Sequence, residues 1–252
     1  MGSDTDGADL SGNATDTASG QPRRRGRPPT TTVVTADPDF QLPDLMVTEL
    51  VRVLERGIVS GEYAPGTRFV EEEVAATFKV SRSPVREAFH RLAADGLVLR
   101  EARRGVRVTP ISLTDLDEVY SCRLELEGFA AEQAAEVGPQ SRDMLETAFE
   151  ELRQARFSGD LNRYFDTNIE FTARIQELAR NKTLIRLLQG LTKQALRYRF
   201  FAYRRYPDLM DFSLQTNRDL IDAIERGYGS IAREVARLLV RHSWSKIREA
   251  LE

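Results

Sequence analysis

The chain has 252 residues, 41% hydrophobic and 30% charged, an ordinary balance for a soluble globular protein. No apolar run approaches the roughly 18 residues of a membrane helix, which excludes a spanning protein. One cysteine, Cys122, excludes an internal disulfide framework and suits a reducing cytoplasm, and two histidines, His90 and His242, leave little for a zinc site or a histidine-based catalytic centre. The net charge of −3 conceals a split: residues 52–110 carry +3, against −4 for 1–51 and −2 for 111–252. Of the 36 basic residues 32 are arginine, the side chain suited to forked recognition of phosphate, guanine and carboxylate.

Residues 1–42 hold Asp, Ser, Thr, Gly, Ala and Pro with few large apolar groups. Such a segment cannot bury enough surface to offset its chain entropy and reads as a disordered tail. It opens without an apolar stretch of the secretory kind. Within it Arg23, Arg24, Arg25 and Arg27 cluster around Gly26, before Pro28. The Arg25-Gly26-Arg27-Pro28 run resembles an AT-hook core, in which arginines flanking a glycine enter the narrow minor groove of A/T-rich DNA. A generic basic tail is the other reading.

From residue 43 the pattern turns helical. Val47, Leu50, Val51, Leu54 and Ile58 form one apolar stripe, which Gly61 and Pro65-Gly66 interrupt. Glu71, Glu72 and Glu73 open a short second helix at the positive end of its dipole. Ser81 followed by Pro84 predicts a capped start for a third helix, with Val85, Ala88, Phe89 and Leu92 on one face and Gly96 at its end. Residues 97–99 and 106–108 read as a two-stranded hairpin with Arg103, Arg104 and Gly105 near its tip. Three helices and a basic hairpin in residues 43–110 describe a winged helix-turn-helix. From 113 on only helical periodicity is visible, broken near 138–141, 158–160, 180–182, 206–208 and 227–230. Residues 111–252 therefore read as about six helices in an all-α bundle, and the chain as mainly α.

On the third helix Ser83, Arg86, Glu87 and His90 lie opposite the apolar stripe, with Arg82 at the entrance. A major groove admits one helix, and arginine can bond guanine O6 and N7 together. Ser81, Ser83 and the first backbone N–H groups suit a phosphate, and Arg103 and Arg104 suit flanking phosphates or the minor groove. His90 reads as an outward polar residue beside this surface, and Glu87 as a partner for Arg86 or a neighbouring arginine.

The stretches Ile58-Val59-Ser60-Gly61, Tyr63-Ala64-Pro65-Gly66-Thr67, Val80 to Ala88, and Asp95-Gly96-Leu97-Val98 closely resemble the GntR winged-helix signature. The following helices resemble the FCD ligand-binding domain of the FadR subfamily, whose opening helix is matched by Glu118, Tyr120, Arg123 and Glu127. The resemblance spans about residues 43–250. It implies a homodimeric transcription factor on a two-fold symmetric operator of double-stranded DNA, modulated by a small ligand. It also implies that Arg82 and Arg86 contact bases and that Gly105 is the wing-tip glycine.

Within the bundle, the core stripe Leu116, Val119, Tyr120, Ala130, Ala131 and Ala134 also carries Arg123 and Glu127. Charges on a packing face must pair or line a cavity. Arg123 is read either as an ion-pair partner of Glu127 or as a group aimed at an anionic ligand, and the two readings are compatible. Asn168 and Thr172 interrupt the Phe165/Ile175 stripe, Asn217 interrupts the Met210/Leu220/Ile221/Ile224 stripe, and His242 shares a face with Val235 and Leu239. Several helices aiming polar groups inward predict a pocket. The helix with Arg197, Arg199, Arg204 and Arg205 among Tyr198, Phe200, Phe201, Tyr203 and Tyr206 reads as a dimer or domain-packing helix with solvated arginines, or as a contact for an acidic or aromatic ligand.

Many FCD domains hold a divalent metal with one aspartate and three histidines. Counted from Asn181, those positions fall on Asn168, Thr172, Asn217 and Leu239, so all four ligands are lost. No metal and no cofactor is therefore expected. The expected function is a ligand-responsive regulator, with repression as its mode and a carboxylate or other acidic metabolite as effector. A ligand-independent architectural DNA-binding protein is the alternative. An enzyme finds no support, since no phosphate-binding glycine loop and no nucleophile–base pairing is present.

Overall fold

The computed structural model describes residues 43–101 and 105–252. Three helices come first: α1 Pro43–Ser60, α2 Glu71–Phe78 and α3 Arg82–Ala94. The stripe of α1 packs on α3, and Leu54, Val85, Phe89 and Leu92 are almost wholly excluded from solvent. Between α2 and α3 Lys79 turns left-handed at φ 55°, and the Val80 N–H donates to Ala75 O at 3.0 Å, which closes the end of α2. Ser81 stands at the start of α3 as expected, but its hydroxyl makes no capping hydrogen bond.

The wing departs from the expected two-stranded hairpin. It is a three-stranded antiparallel sheet of β1 Arg68–Phe69, β2 Val98–Glu101 and β3 Gly105–Val108, in the order β1-β3-β2. A two-residue strand shows no periodicity of its own. Tertiary contacts define it: the Gly66 turn delivers Thr67, whose carbonyl accepts from Val108 N at 2.8 Å. Phe69 then stacks on Phe89, with ring centroids 5.5 Å apart, tying the sheet to α3. Phe89→Ala is expected to cost about 3–5 kcal/mol, the usual loss for deleting a fully buried phenyl ring. Chemical denaturation followed by circular dichroism checks this, and a loss under about 1 kcal/mol would mean that the site collapses around the void.

After Pro110 the architecture changes to helices only: α4 Leu113–Ala134, α5 Arg142–Phe157, α6 Leu161–Leu178, α7 Lys182–Arg205, α8 Asp208–Glu225 and α9 Gly229–Leu251. A short 3₁₀ turn, Gly138–Ser141, precedes α5. The breaks fall where the sequence places them. Asn181 caps α7 by accepting from Leu184 N at 3.1 Å, and the preceding Arg180 adopts φ 52°, a conformation that favours glycine. The long α4 lies against α9, and the bundle core includes Leu116, Tyr120, Leu145, Leu152, Tyr164, Phe171, Ile221 and Ile224. None of the described helices is long and apolar enough to cross a membrane.

The described residues form one compact unit, because α7 backs the winged helix. Val59 of α1 packs into the bundle core. At the end of α3, Lys193 Nζ lies 2.6 Å from Asp95 Oδ2, and Gly96 sits so close to Gln194 that a Cβ would come within 3.1 Å of its side chain. Arg197 Nη1 donates to Thr109 O at 2.5 Å, and Thr109 in turn donates from its hydroxyl to Gly96 O at 2.8 Å.

Candidate DNA-reading surface and effector cavity

The apolar face of α3 is buried against α1 and the sheet, so Arg82, Ser83, Arg86, Glu87 and His90 are driven to the opposite, exposed face. Arg82 and Arg86 keep 61% and 56% of their side chains in solvent. Neither guanidinium is idle. Arg82 Nη1 lies 2.7 Å from Glu72 Oε1, and Arg86 Nη2 lies 3.1 Å from Glu71 Oε2, both carboxylates coming from the acidic first turn of α2. Glu87 pairs with Arg91 at 3.3 Å and not with Arg86. His90 meets the wing: Arg100 Nη1 stands 2.6 Å from its Nε2. Exposed pairs of this kind are worth at most about 1 kcal/mol, so a duplex can displace them. They orient the arginines along one surface in its absence.

At the wing, Gly105 has φ 90°, and a Cβ there would stand 3.0 Å from Phe69 O. Only glycine meets both constraints. Arg107 Nε donates to Glu101 Oε1 at 3.0 Å and its Nη1 to Gly66 O at 3.0 Å, which fixes the base of the wing. Arg103 and Arg104, and the Arg25-Gly26-Arg27-Pro28 run with the rest of residues 1–42, lie outside the described residues.

The second site is a partly open cavity of about 60 Å³ lined by α4, α6, α7, α8 and α9. Arg123, Glu127, Asn168, Thr172, Asn217 and His242, the six inward polar residues read from the sequence, all line it. Arg123 donates from Nε and Nη2 to Glu127 Oε1 at 2.8 and 2.6 Å, and its guanidinium lies 4.7 Å from the centre of the Tyr120 ring. Arg199 Nη2 donates to Asn168 Oδ1, which also accepts from Tyr203 Oη at 3.3 Å. The His242 ring lies against Phe212 at 3.8 Å, and burial, with Lys246 nearby, holds its imidazole below the usual range.

Arg199 and Tyr203, from the helix read as packing or as contacting an acidic or aromatic ligand, also line it, and Ser213 and Ser243, which the sequence reading missed, complete the polar set. The solvated reading of the α7 arginines needs correction at two positions. Arg197 and Arg199 are only 5% and 6% exposed, whereas Arg204 and Arg205 are at the surface. Local sequence carried no signal for this, since arginines are rarely buried.

Arg123 Nη1 and Arg199 Nη1 are both buried without a hydrogen-bond partner. An unsatisfied buried donor costs about 1–3 kcal/mol, more when charged. Burial raises the Tyr120 hydroxyl, while both guanidiniums pull it back down, so the field of the two reaches the same point.

Asn168, Thr172, Asn217 and Leu239 converge on this one cavity. They do not fit a divalent cation. The Asn168 oxygen is committed to Arg199 and Tyr203, the Thr172 hydroxyl donates to Asn168 O at 2.9 Å, Asn217 Nδ2 faces Ser213 Oγ at 3.4 Å, and leucine offers no donor. Two guanidiniums in the same space oppose a cation further.

Residues 47–108 match the gntR family of bacterial regulatory proteins, and residues 118–242 match the FCD domain. An uncharacterized HTH-type transcriptional regulator of Bacillus subtilis (strain 168), YdhC, is 32% identical over 155 residues, 60% of this chain and 69% of that protein. The HTH-type transcriptional repressor RspR of Escherichia coli (strain K12) is 29% identical over 197 residues, 77% of this chain and 84% of its own length. A probable D-xylose utilization operon transcriptional repressor of Paenarthrobacter nicotinovorans is 29% identical over 175 residues, 69% and 76% of the two chains. Among solved structures, E. coli McbR/YncC superposes with a TM-score of 0.72 at 21% identity, over 82% of this chain and 99% of that one; the likeness is one of fold. The chain thus belongs to the gntR family of bacterial regulatory proteins, with an FCD domain behind its winged helix, and is a DNA-binding transcriptional regulator and not an enzyme.

Proposed function

We propose that the chain is a repressor of the FadR type that binds a two-fold symmetric operator as a homodimer and changes its hold on DNA when a small acidic molecule enters the metal-free cavity. The observation that carries the DNA half is the pair of exposed guanidiniums, Arg82 and Arg86, one turn apart at the entrance of a helix whose other face is buried. Repression is the mode named for two of the relatives. The cavity, lined by polar side chains from five helices, is what a ligand-independent architectural protein would not need. Binding to chromosomal DNA places the protein in the cytoplasm.

The test is an operator-shift titration on the DNA upstream of the protein's own gene, with and without a panel of acidic metabolites. A sequence-specific complex of one dimer per site that weakens with one metabolite is expected; binding that ignores every metabolite and every change of sequence would end the proposal. In the same assay, deleting residues 1–38 is expected to weaken binding and to flatten its dependence on salt, by a slope of about one per lost phosphate contact. An unchanged slope would remove the basic cluster from the DNA interface.

A further inference from the structure

A larger hollow lies between the winged helix and the bundle. It is a partly open cleft of about 400 Å³ bounded by α1, α6 and α7, within the roughly 300–1,000 Å³ usual for small-molecule sites. It shares no lining residue with the cavity around Arg123. Its walls are apolar: Val51 and Val59 of α1, Phe165 and Ile169 of α6, and Leu196 and Phe200 of α7. Phe165 and Phe200 meet edge to face, with ring centroids 5.1 Å apart at 87°. The charged groups around these walls are paired, with one exception. Arg52 pairs with Glu49 at 2.5 Å, Arg56 with Asp166 at 3.0 Å, and Lys193 with Asp95 at 2.6 Å. Glu55 lines the cleft, half-buried, and makes no hydrogen bond and no ion pair among the described residues. With those partners included, three cations face four carboxylates, which leaves one negative charge over. Burial raises the Glu55 carboxyl above its usual range, and Lys193, already held by Asp95, draws it only partly back.

We propose that this cleft is a second small-molecule site, for an arylalkyl amine whose ammonium donates to Glu55 and whose ring lies against Phe165 and Phe200. An ammonium supplies both the missing donor and the missing charge, and a hydrogen bond between two ionised groups is roughly twice as strong as a neutral one. The ring covers apolar wall that otherwise faces water. Arg52 and Arg56 do not repel the ligand, because Glu49 and Asp166 already neutralise them. A carboxylate of the same shape meets Glu55 as a like charge. An alcohol donates a hydrogen bond but leaves the spare charge in place. A diamine without a ring leaves the walls wet. Since α1 belongs to the winged helix and α6 and α7 to the bundle, the bound amine touches both at once, and it favours the arrangement in which both are within its reach.

The experiment is isothermal titration calorimetry on the full chain with tryptamine and phenethylamine, against tryptophol, indole-3-propionate and putrescine. One amine per chain is expected, with the alcohol, the acid and the ringless diamine each at least about tenfold weaker. Glu55→Gln keeps the shape of the side chain, removes its charge and is expected to lower tryptamine affinity about ten- to hundredfold, the range of a hydrogen bond to a charged group. Tryptophol affinity should change less than threefold in the same variant, which a general loss of structure would not allow. Thr48→Trp places a ring at the exposed mouth of the cleft and is expected to lower the affinity for both amines at least about tenfold. Melting temperatures of both variants near that of the parent separate these losses from misfolding. Failure of both amines to bind, equal binding of amine, alcohol and acid, or a tryptamine affinity that either variant leaves unaltered would overturn the proposal.

Discussion

Replacing Arg82 and Arg86 together by alanine is expected to weaken specific operator binding by roughly 30- to 20,000-fold, since each bidentate arginine–guanine contact is worth about 1–3 kcal/mol. Binding to unrelated DNA should fall far less, because sequence-independent affinity comes from many phosphate contacts. Both side chains are more than half exposed and pair only with exposed or partly exposed carboxylates, so the variant should melt close to the parent. Fluorescence anisotropy on operator and scrambled duplexes measures both effects; a double variant within about twofold of the parent on operator would take α3 out of the groove. The acidic partners supply a companion test. Glu71 and Glu72 compete with DNA for the same guanidiniums, so Glu71→Gln with Glu72→Gln is expected to tighten binding by up to about fivefold, the worth of one exposed ion pair, and most at low salt.

Arg197→Met is expected to uncouple the cavity from the DNA-reading helix. Consecutive residues of α7 face two ways. Arg199 reaches the cavity, while Arg197 and Tyr198 grip the segment between wing and bundle: Arg197 donates to Thr109 O and to Asp115 Oδ2, and Tyr198 Oη lies 2.5 Å from the same Asp115 oxygen. Thr109 is bonded to Gly96 at the end of α3, and Lys193 to Asp95 beside it. A ligand that draws on Arg199 thus acts on the helix that backs the recognition helix. Methionine fills the space but makes none of these bonds. The pair is buried on the arginine side only, Asp115 being 37% exposed, so the cost in stability falls below the 3–5 kcal/mol of a fully buried pair, at about 2 kcal/mol. Allosteric coupling of the usual 5–150-fold size should shrink towards one, although cavity and operator each still bind. Operator titrations at zero and saturating effector read this directly. Full coupling in the variant would show that the signal bypasses Arg197.

The sequence by itself determined the helices that have a wet face and a dry one. α1, α3, α4, α6 and α8 were legible because apolar residues recur every three or four positions and because glycine, proline and capping residues mark their ends. The same periodicity exposed the polar intruders, and Arg123, Glu127, Asn168, Thr172, Asn217 and His242 do meet in one cavity. Only the tertiary structure decided the rest. β1 exists because β3 offers it hydrogen bonds, and two residues carry no pattern from which to foresee that. Ala195 to Phe200 are buried in succession; this stretch of α7 is covered by the bundle on one side and by the winged helix on the other, so it has no solvent face for periodicity to report. Arginines are rarely buried, and local sequence carries no sign of the exception. The burial of Arg197 and Arg199 is paid back by partners on α4, on α6 and in the interdomain segment, far away along the chain and adjacent only after folding.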